Sequence, residues 1–156
     1  MSAAAALECG PIDLPGPTGE ANQFELVPKG VILCLGPTPE ALLDQVVQAL
    51  AGGNRVIALA SGARGLLRPL SRAGLPLHVL DGALASLDIL TEIPVDLVAA
   101  TGDPAALRQV LSHRKGPIVP LLSGTIAPAR YCDERTICID TTAAGGNASL
   151  LAEAEG

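Results

Sequence analysis

Short apolar runs alternate with segments of helical periodicity through most of the chain, and this alternation limits the possible folds. Residues 30–35 form a continuous apolar run rich in branched side chains, as expected for a buried strand. The next segment has apolar residues at helical spacing, at positions 42, 43, 46, 47 and 50. Strands that alternate with helices indicate a parallel sheet covered on both faces. We therefore predict an α/β fold: a Rossmann-like parallel sheet with flanking helices, followed by an extended strand and a C-terminal tail.

The first helix has clear signals at both ends. Thr38 can cap its N-terminus, Pro39 fits the first turn, and the charge of Glu40 suits the helix dipole. Gly52 and Gly53 then stop it.

The same reasoning places the other elements. Strands are predicted at residues 24–27, 56–60, 77–80, 95–100, 118–122 and 130–140. Helices are predicted at residues 62–72, 83–90 and 103–114, the last opened by a cap-and-proline pair. Cys34 is expected in the core, and Cys132 and Cys138 on one face of the last strand.

Three segments differ in composition. Residues 1–21 are rich in Ala, Gly and Pro, which is typical of a linker or an N-terminal arm. Residues 22–129 contain the alternating elements of the Rossmann-like domain. Residues 130–156 begin with a strand and continue into a small, polar segment that has too little bulk for a core of its own, so it is either a loose tail or a docking element.

Charge and composition exclude several classes of partner. The formal net charge is −6 and the chain has no cluster of basic residues, so we expect neither nucleic acid nor a membrane surface as a partner. The sequence has no apolar run of about 20 residues. Residues 1–7 lack the basic start of a signal peptide. A cytoplasmic location is the expectation.

The residues that catalysis would need are few. The two histidines, His78 and His113, have no acidic partner visible in the sequence, and Asp133 and Glu134 resemble solvated turn charges. We predict no catalytic, cofactor-binding or metal-ligating residue in this chain.

Two loops after predicted strands are the candidates for a nucleotide site, because ligands of parallel sheets bind beyond the carboxyl ends of the strands. They are residues 36–39 and residues 101–104. Prolines in both loops remove backbone donors, and Asp103 would repel a phosphate, so capped turns are the favoured interpretation. A stand-alone nucleotide-binding protein remains the alternative.

The C-terminal residues carry a family resemblance. Residues 135–150 resemble the terminal motif of the long bifunctional proline utilization A enzymes, whose usual core is Asn-Thr-Ala-Ala-Ala-Gly-Gly-Asn-Ala-Ser-Leu. Asp140 stands in place of the Asn and Thr142 in place of an Ala. Residues 14–20 together with Asn22 resemble the junction that precedes the last domain of the long forms, so the resemblance spans residues 14–151.

The resemblance implies a function for the chain. In that family one polypeptide oxidises proline with FAD and then oxidises glutamate semialdehyde with NAD. The long forms add a C-terminal Rossmann-like domain of the aldehyde dehydrogenase superfamily that has lost catalysis, and its terminal motif covers the aldehyde dehydrogenase site and the substrate-channelling tunnel. The partner implied here is that aldehyde dehydrogenase domain, in cis or in trans. The docking residues implied are Thr141, Thr142, Ala143, Ala144, Gly145, Gly146, Asn147, Ala148 and Ser149.

The comparison with active aldehyde dehydrogenases also implies lost catalysis. Residues 101–103 stand where the active enzymes have a Gly-Ser loop, and residues 121–124 stand where they have a general-base Glu in a Glu-Leu-Gly-Gly stretch. The segment that carries their catalytic Cys has no counterpart. A folded remnant without a present role is a further alternative.

Overall fold

The computed structural model describes residues 10–83, 87–124 and 127–140. Their contacts divide them into two compact units. The first contains Leu26–Asp133, and the second contains Gly10–Glu25 together with the described residues from Glu134 onward. These limits differ from the predicted segments, because the second unit joins residues from both ends of the chain.

The elements follow the predicted alternation. In chain order they are β1 (Ile12–Leu14), β2 (Glu20–Pro28), β3 (Val31–Cys34), α1 (Pro39–Ala51), β4 (Arg55–Ala60), α2 (Ala63–Arg72), β5 (Leu77–Asp81), β6 (Leu97–Ala99), α3 (Ala105–Ser112), β7 (Leu121–Leu122) and β8 (Cys132–Asp140). Two short 3-10 turns lie at Leu87–Thr91 and Pro128–Tyr131.

The first unit is built on a five-stranded parallel sheet with the strand order β5-β4-β3-β6-β7. Strand β3 lies in the middle, where Ile32 pairs with Val56 on one side and with Leu97 on the other. This sheet and its helices confirm the predicted α/β, Rossmann-like fold.

Both faces of the sheet carry a core. Helices α1 and α2 bury Leu42, Val46 and Leu67 against one face, and Cys34 is fully buried there as predicted. The opposite face has a smaller cluster that includes Leu33, against which residues of α3 pack. None of the helices in the described ranges is long and apolar enough to span a membrane.

Helix α1 matches its sequence signals. The Thr38 hydroxyl accepts a hydrogen bond from the Ala41 N–H at 3.2 Å, and the helix starts at Pro39. At the other end, Gly52 caps the helix and Gly53 adopts a φ of +77°, which favours glycine.

Several predicted elements were wrong or too long. The helix predicted at 83–90 is a 3-10 turn where it is described, at Leu87–Thr91. The strand predicted at 118–122 is reduced to Leu121–Leu122, because Pro117 and Pro120 on either side of the exposed Ile118 have no N–H to donate to a ladder. Helix α3 begins at Ala105 and ends at Ser112, inside its predicted bounds.

The segment predicted as a linker contains regular structure. Strand β1 pairs antiparallel with β2, with Ile12 opposite Phe24, and β2 itself already begins at Glu20. The predicted strand at 130–140 is preceded by the turn Pro128–Tyr131 and starts at Cys132.

Candidate functional site at the carboxyl edge of the sheet

The order of the strands creates a crevice beside β3. From β3 the chain proceeds to β4 on one side, and β6 lies on the other side. Doubly wound sheets bind their ligands at the carboxyl ends of two neighbouring strands where the strand order reverses, here β3 and β6. The loops that meet there are residues 35–38 and 100–104, which include the second loop singled out in the sequence and all of the first except Pro39, the first residue of α1.

A glutamine side chain from α1 ties these two loops together. Gln45 is 5% exposed, and its Oε1 accepts a hydrogen bond from the Gly36 N–H at 3.1 Å. Its Nε2 donates to the Gly36 carbonyl at 3.1 Å and to the Thr101 hydroxyl at 3.2 Å. The amide of Gln45 therefore occupies the Gly36 N–H, a donor that a nucleotide phosphate would otherwise contact.

The loops also bind each other directly. The Thr101 N–H donates to the Gly36 carbonyl, and the Leu35 N–H donates to the Ala99 carbonyl, both at 2.9 Å. Gly36 and Gly102 have φ values of +80° and +113°, so both turns depend on glycine. Together with the hydrogen bonds of Gln45, these bonds pair polar groups of the two loops with one another.

The N-terminus of α3 is similarly occupied. The Asp103 carboxylate accepts a hydrogen bond from the Ala105 N–H at 2.9 Å, and Pro104 has no N–H. A carboxylate at this position competes with any phosphate for the positive end of the helix. The N-cap residue of α3 is Pro104, so the prediction of Asp103 as the cap is wrong by one residue, although Asp103 does bind the first N–H of the helix.

The remaining candidate side chains are not brought together. His113 contacts the Gln109 carbonyl through Nδ1 at 2.7 Å at the exposed end of α3, and His78 lies on β5, opposite Ile57. Asp133 forms an ion pair with Lys29. Within the described ranges no group of three His, Cys, Asp or Glu residues is arranged to hold a metal ion.

Two buried side chains with titratable protons, Cys34 and Tyr131, pack in the core cluster that includes residues of α1. Burial raises the pKa of the Cys34 thiol far above its ordinary value. The pKa of the Tyr131 hydroxyl is also raised, first by burial and then by the negative charges of Cys34, where that thiol is ionised, and of Asp44. Both groups stay neutral near pH 7, which makes Cys34 a poor nucleophile.

The second unit contains residues of a three-stranded sheet with the order β1-β2-β8. Strand β1 pairs antiparallel with β2, and β8 is an edge strand. Arg135 on β8 donates through Nε to the Glu25 carboxylate at 2.5 Å, and Gln23 donates to Asp13 at 3.0 Å. Cys132 is buried and Cys138 is exposed.

Apolar side chains of this sheet remain in contact with solvent. Ile12, Leu14 and Ile139 are 43%, 40% and 50% exposed. Strand β8 ends at Asp140, and the predicted docking residues from Thr141 to Ser149 lie outside the described residues.

Sequence reasoning missed Gln45 as the residue that joins the two loops. Its place on α1 resembles any polar position on an amphipathic helix, and only the three-dimensional structure shows its contacts with both loops. The signal available in the sequence was weak: Gln45 lies one residue before the buried Val46, on the apolar side of the helix.

No family model matches the chain. It is 35% identical to the bifunctional protein PutA of Escherichia coli (strain K12) over 147 residues, which covers 88% of this chain and 11% of that protein. Among solved structures, a variant of proline utilization A (PutA) from Bradyrhizobium japonicum aligns with a TM-score of 0.69 at 31% identity over 80% of this chain and 14% of that one.

The chain is homologous to one segment of PutA. It spans about a tenth of the length of the curated PutA proteins it matches. A putative aldehyde dehydrogenase from Burkholderia cenocepacia also aligns, with a TM-score of 0.63 and 23% identity over 78% of this chain and 28% of that protein. That similarity shows a shared fold, in agreement with the Rossmann-like sheet.

Proposed function

We propose that the chain is the non-catalytic C-terminal module of a bifunctional enzyme that converts proline to glutamate. In this proposal the module stabilises the glutamate-semialdehyde dehydrogenase domain and covers its active site and the tunnel that carries the intermediate. The observation that carries the proposal is the homology of most of the chain to a small part of PutA.

The hydrogen-bonded loops at the carboxyl edge of the sheet support a non-catalytic function for the module. Gln45 occupies the donors and acceptors at Gly36 and Thr101, and Asp103 occupies the start of α3. A nucleotide would have to replace these bonds, and each buried group left unpaired costs about 1–3 kcal/mol. In the proposal FAD and NAD therefore bind elsewhere in the parent enzyme, which acts in the cytoplasm, and this module holds neither.

The sequence of the terminal segment supports docking. Gly145 and Gly146 have no side chains, so the backbone can approach another surface closely. Asn147 and Ser149 supply donors and acceptors for hydrogen bonds across an interface. The exposed β8 leads directly into this segment.

The proposal is tested by complementation. The catalytic part of a PutA enzyme lacking the homologous segment is assayed for NAD-dependent oxidation of glutamate semialdehyde, with and without this chain. Restoration by the full chain, but not by a version that ends at Asp140, supports the lid function. Equal restoration by both versions would show that residues beyond Asp140 are not needed.

Substitutions in the terminal segment sharpen this test. Gly146→Trp places a large side chain where close approach is proposed, and we expect it to abolish docking while the domain stays folded. Ala154→Trp, beyond the motif in the sequence, is the matched control and should dock normally. Binding is measured by co-sedimentation with the catalytic part.

Calorimetry with NAD tests the alternative of a stand-alone nucleotide-binding protein. A dissociation constant tighter than about 1 mM, or about −4 kcal/mol, would favour that alternative. We expect no such binding, because the crevice is internally hydrogen-bonded.

A further inference from the structure

A pocket lies at the amino edge of the parallel sheet, beside the outermost strand β7. Its volume is about 470 Å³. The wall combines the end of α3 with the segment that leads into β7, so the pocket is at the opposite ends of the strands from the crevice described above. A pocket of this size can hold a small organic ligand.

Apolar side chains form much of the wall. Leu111 and Val119 belong to the core cluster on this face of the sheet. Ile118, which also lines the pocket, is 94% exposed, so a ligand that covers it would remove a large apolar surface from water. Pro117 and Pro120 have no N–H, so this segment offers few backbone donors. Polar contacts with a ligand must therefore come mainly from side chains.

The charged side chains of the wall are two arginines. Arg108 and Arg114 line the pocket, and none of its lining residues is Asp or Glu. This local charge is opposite in sign to that of the whole chain, whose formal net charge is −6. Ser112, one helical turn beyond Arg108, adds a hydroxyl. The wall therefore offers hydrogen-bond donors that suit an anion.

Arg114 is held in place, but its charge has no counter-ion. Its side chain is partly buried, and Nη1 donates to the carbonyls of Leu90 and Ile93. The buried Nε has no hydrogen-bond partner. Neither of the two ion pairs among the described residues includes Arg114. Asp96 lines an adjacent depression with Arg114, but its carboxylate accepts a hydrogen bond from the Val31 N–H. An anion in the pocket would offset the cost of this partly buried cation.

We propose that the pocket is a binding site for a small apolar carboxylate. The carboxylate lies against Arg114 and Arg108, and the hydrocarbon part lies against Ile118 and Leu111. A carboxylate fits better than a phosphate, because the mostly apolar wall would leave oxygens of a phosphate without donors. The site goes beyond the proposed function and does not depend on docking to a partner domain.

The proposal is tested by NMR titration of the isotope-labelled full chain at neutral pH and constant ionic strength. The probe is sodium hexanoate. Three comparison compounds each lack one feature: 1-hexanol has the hydrocarbon chain without the carboxylate, acetate has the carboxylate without the chain, and inorganic phosphate is an anion of the other class.

We expect hexanoate to shift the backbone amides of Gly116, Val119 and Leu121 in a saturable manner and to leave that of Ala58 in β4 unchanged. Its dissociation constant should be at least about tenfold lower than those of the three comparison compounds, because it combines apolar contact with charge-assisted hydrogen bonds.

Substitution of each arginine should weaken this preference. Arg114→Met should weaken hexanoate binding about tenfold, and Arg108→Met, at an exposed position, about threefold. Neither should change the binding of 1-hexanol. Arg64→Met, on α2 and outside the pocket, is the matched control and should bind hexanoate like the unmodified chain.

Ile118 provides a second test that does not depend on the arginines. Ile118→Asp places a negative charge beside the proposed carboxylate, and Ile118→Asn is a neutral control of the same size. Because Ile118 is highly exposed, both variants should fold. The Asp variant should bind hexanoate about threefold more weakly than the Asn variant.

Several outcomes would overturn the proposal. Equal binding of 1-hexanol or acetate would show that one part of the ligand is not recognised, and tighter binding of phosphate would assign the wrong class of anion. Hexanoate shifts that spread over the whole surface would exclude a defined site. If Arg114→Met fails to fold, unchanged hexanoate binding by both Arg108→Met and Ile118→Asp is sufficient to reject the proposal.

Discussion

The two units of the chain bury their apolar side chains very differently. The first unit encloses residues such as Ile32, Leu67 and Val98 completely, on both faces of a parallel sheet. In the three-stranded sheet, Ile12, Leu14 and Ile139 remain 40% or more exposed. The first unit has the interior of an independently stable domain, whereas the second is held by pairing and surface polar contacts. The comparison indicates that most of the stability of the fold is concentrated in the first unit.

Core truncation should give the largest effect and the clearest contrast. Leu67→Ala removes a fully buried side chain of the first unit and should cost about 2–5 kcal/mol of the free energy of unfolding. Ile139→Ala, at a half-exposed position of β8, should cost less than about 0.5 kcal/mol. Urea unfolding measures both, and similar losses would contradict the division between the units.

The carboxyl-edge network should show a smaller loss. Gln45→Leu keeps the volume but leaves the Gly36 N–H and carbonyl without their side-chain partner, and should cost about 1–3 kcal/mol. The matched control is Gln48→Leu on the same helix, where Oε1 has no partner and the amide donates only to Asp44. Equal losses in urea unfolding would mean that Gln45 does not join the loops.

Alkaline pH should destabilise the first unit selectively. Burial raises the pKa values of Cys34 and Tyr131 in the folded chain, so the unfolded chain loses these protons first as the pH rises. The contribution of Cys34 is complete below the ordinary thiol pKa of about 8.5, and that of Tyr131 is complete below the ordinary tyrosine pKa of about 10. Above each of these values, stability falls by up to about 1.4 kcal/mol per pH unit for the group concerned. Unfolding measured at pH 7, 9 and 10 checks this, and Cys34→Ala should reduce the slope.

The smallest effect is expected at the surface of the second unit. Arg135 is 57% exposed at its side chain, and its ion pair with Glu25 should contribute less than about 1 kcal/mol. Arg135→Ala should therefore shift unfolding only slightly, and the shift should shrink further in high salt. A loss comparable to that of Leu67→Ala would show that the thin sheet is more important to stability than its burial indicates.

Local signals predicted the first unit well. Helix α1 was predicted from Thr38, Pro39 and the glycine pair, and β3 from a continuous apolar run, because caps and buried strands depend on adjacent residues. The Rossmann-like order followed from the alternation. Strand β1 was not predicted, because its three residues become a strand only by pairing with β2.

The candidate site was less accessible to sequence reasoning. The loops at Gly36 and Thr101 were identified as the ligand-binding edge, because the rule for parallel sheets needs only the order of strands. The bonds that close this edge come from Gln45, nine residues from Gly36 and 56 residues from Thr101. Such contacts depend on how α1 lies on the sheet, which no local pattern encodes. The prediction for residues 141–149 lies outside the described residues and stays a prediction.

The buried side chain of Asn54, which follows α1, accepts a hydrogen bond from the Gly30 N–H and donates one to the Tyr131 carbonyl. The polypeptide therefore enters and leaves the Rossmann-like body at neighbouring points, which has a consequence for engineering. Domains whose two ends lie side by side tolerate transplantation into a loop of an unrelated host and circular permutation. Residues 30–131 are therefore well suited to insertion into a host protein. Joined to the host through short linkers at both ends, they should keep their own sheet and helices without straining either protein.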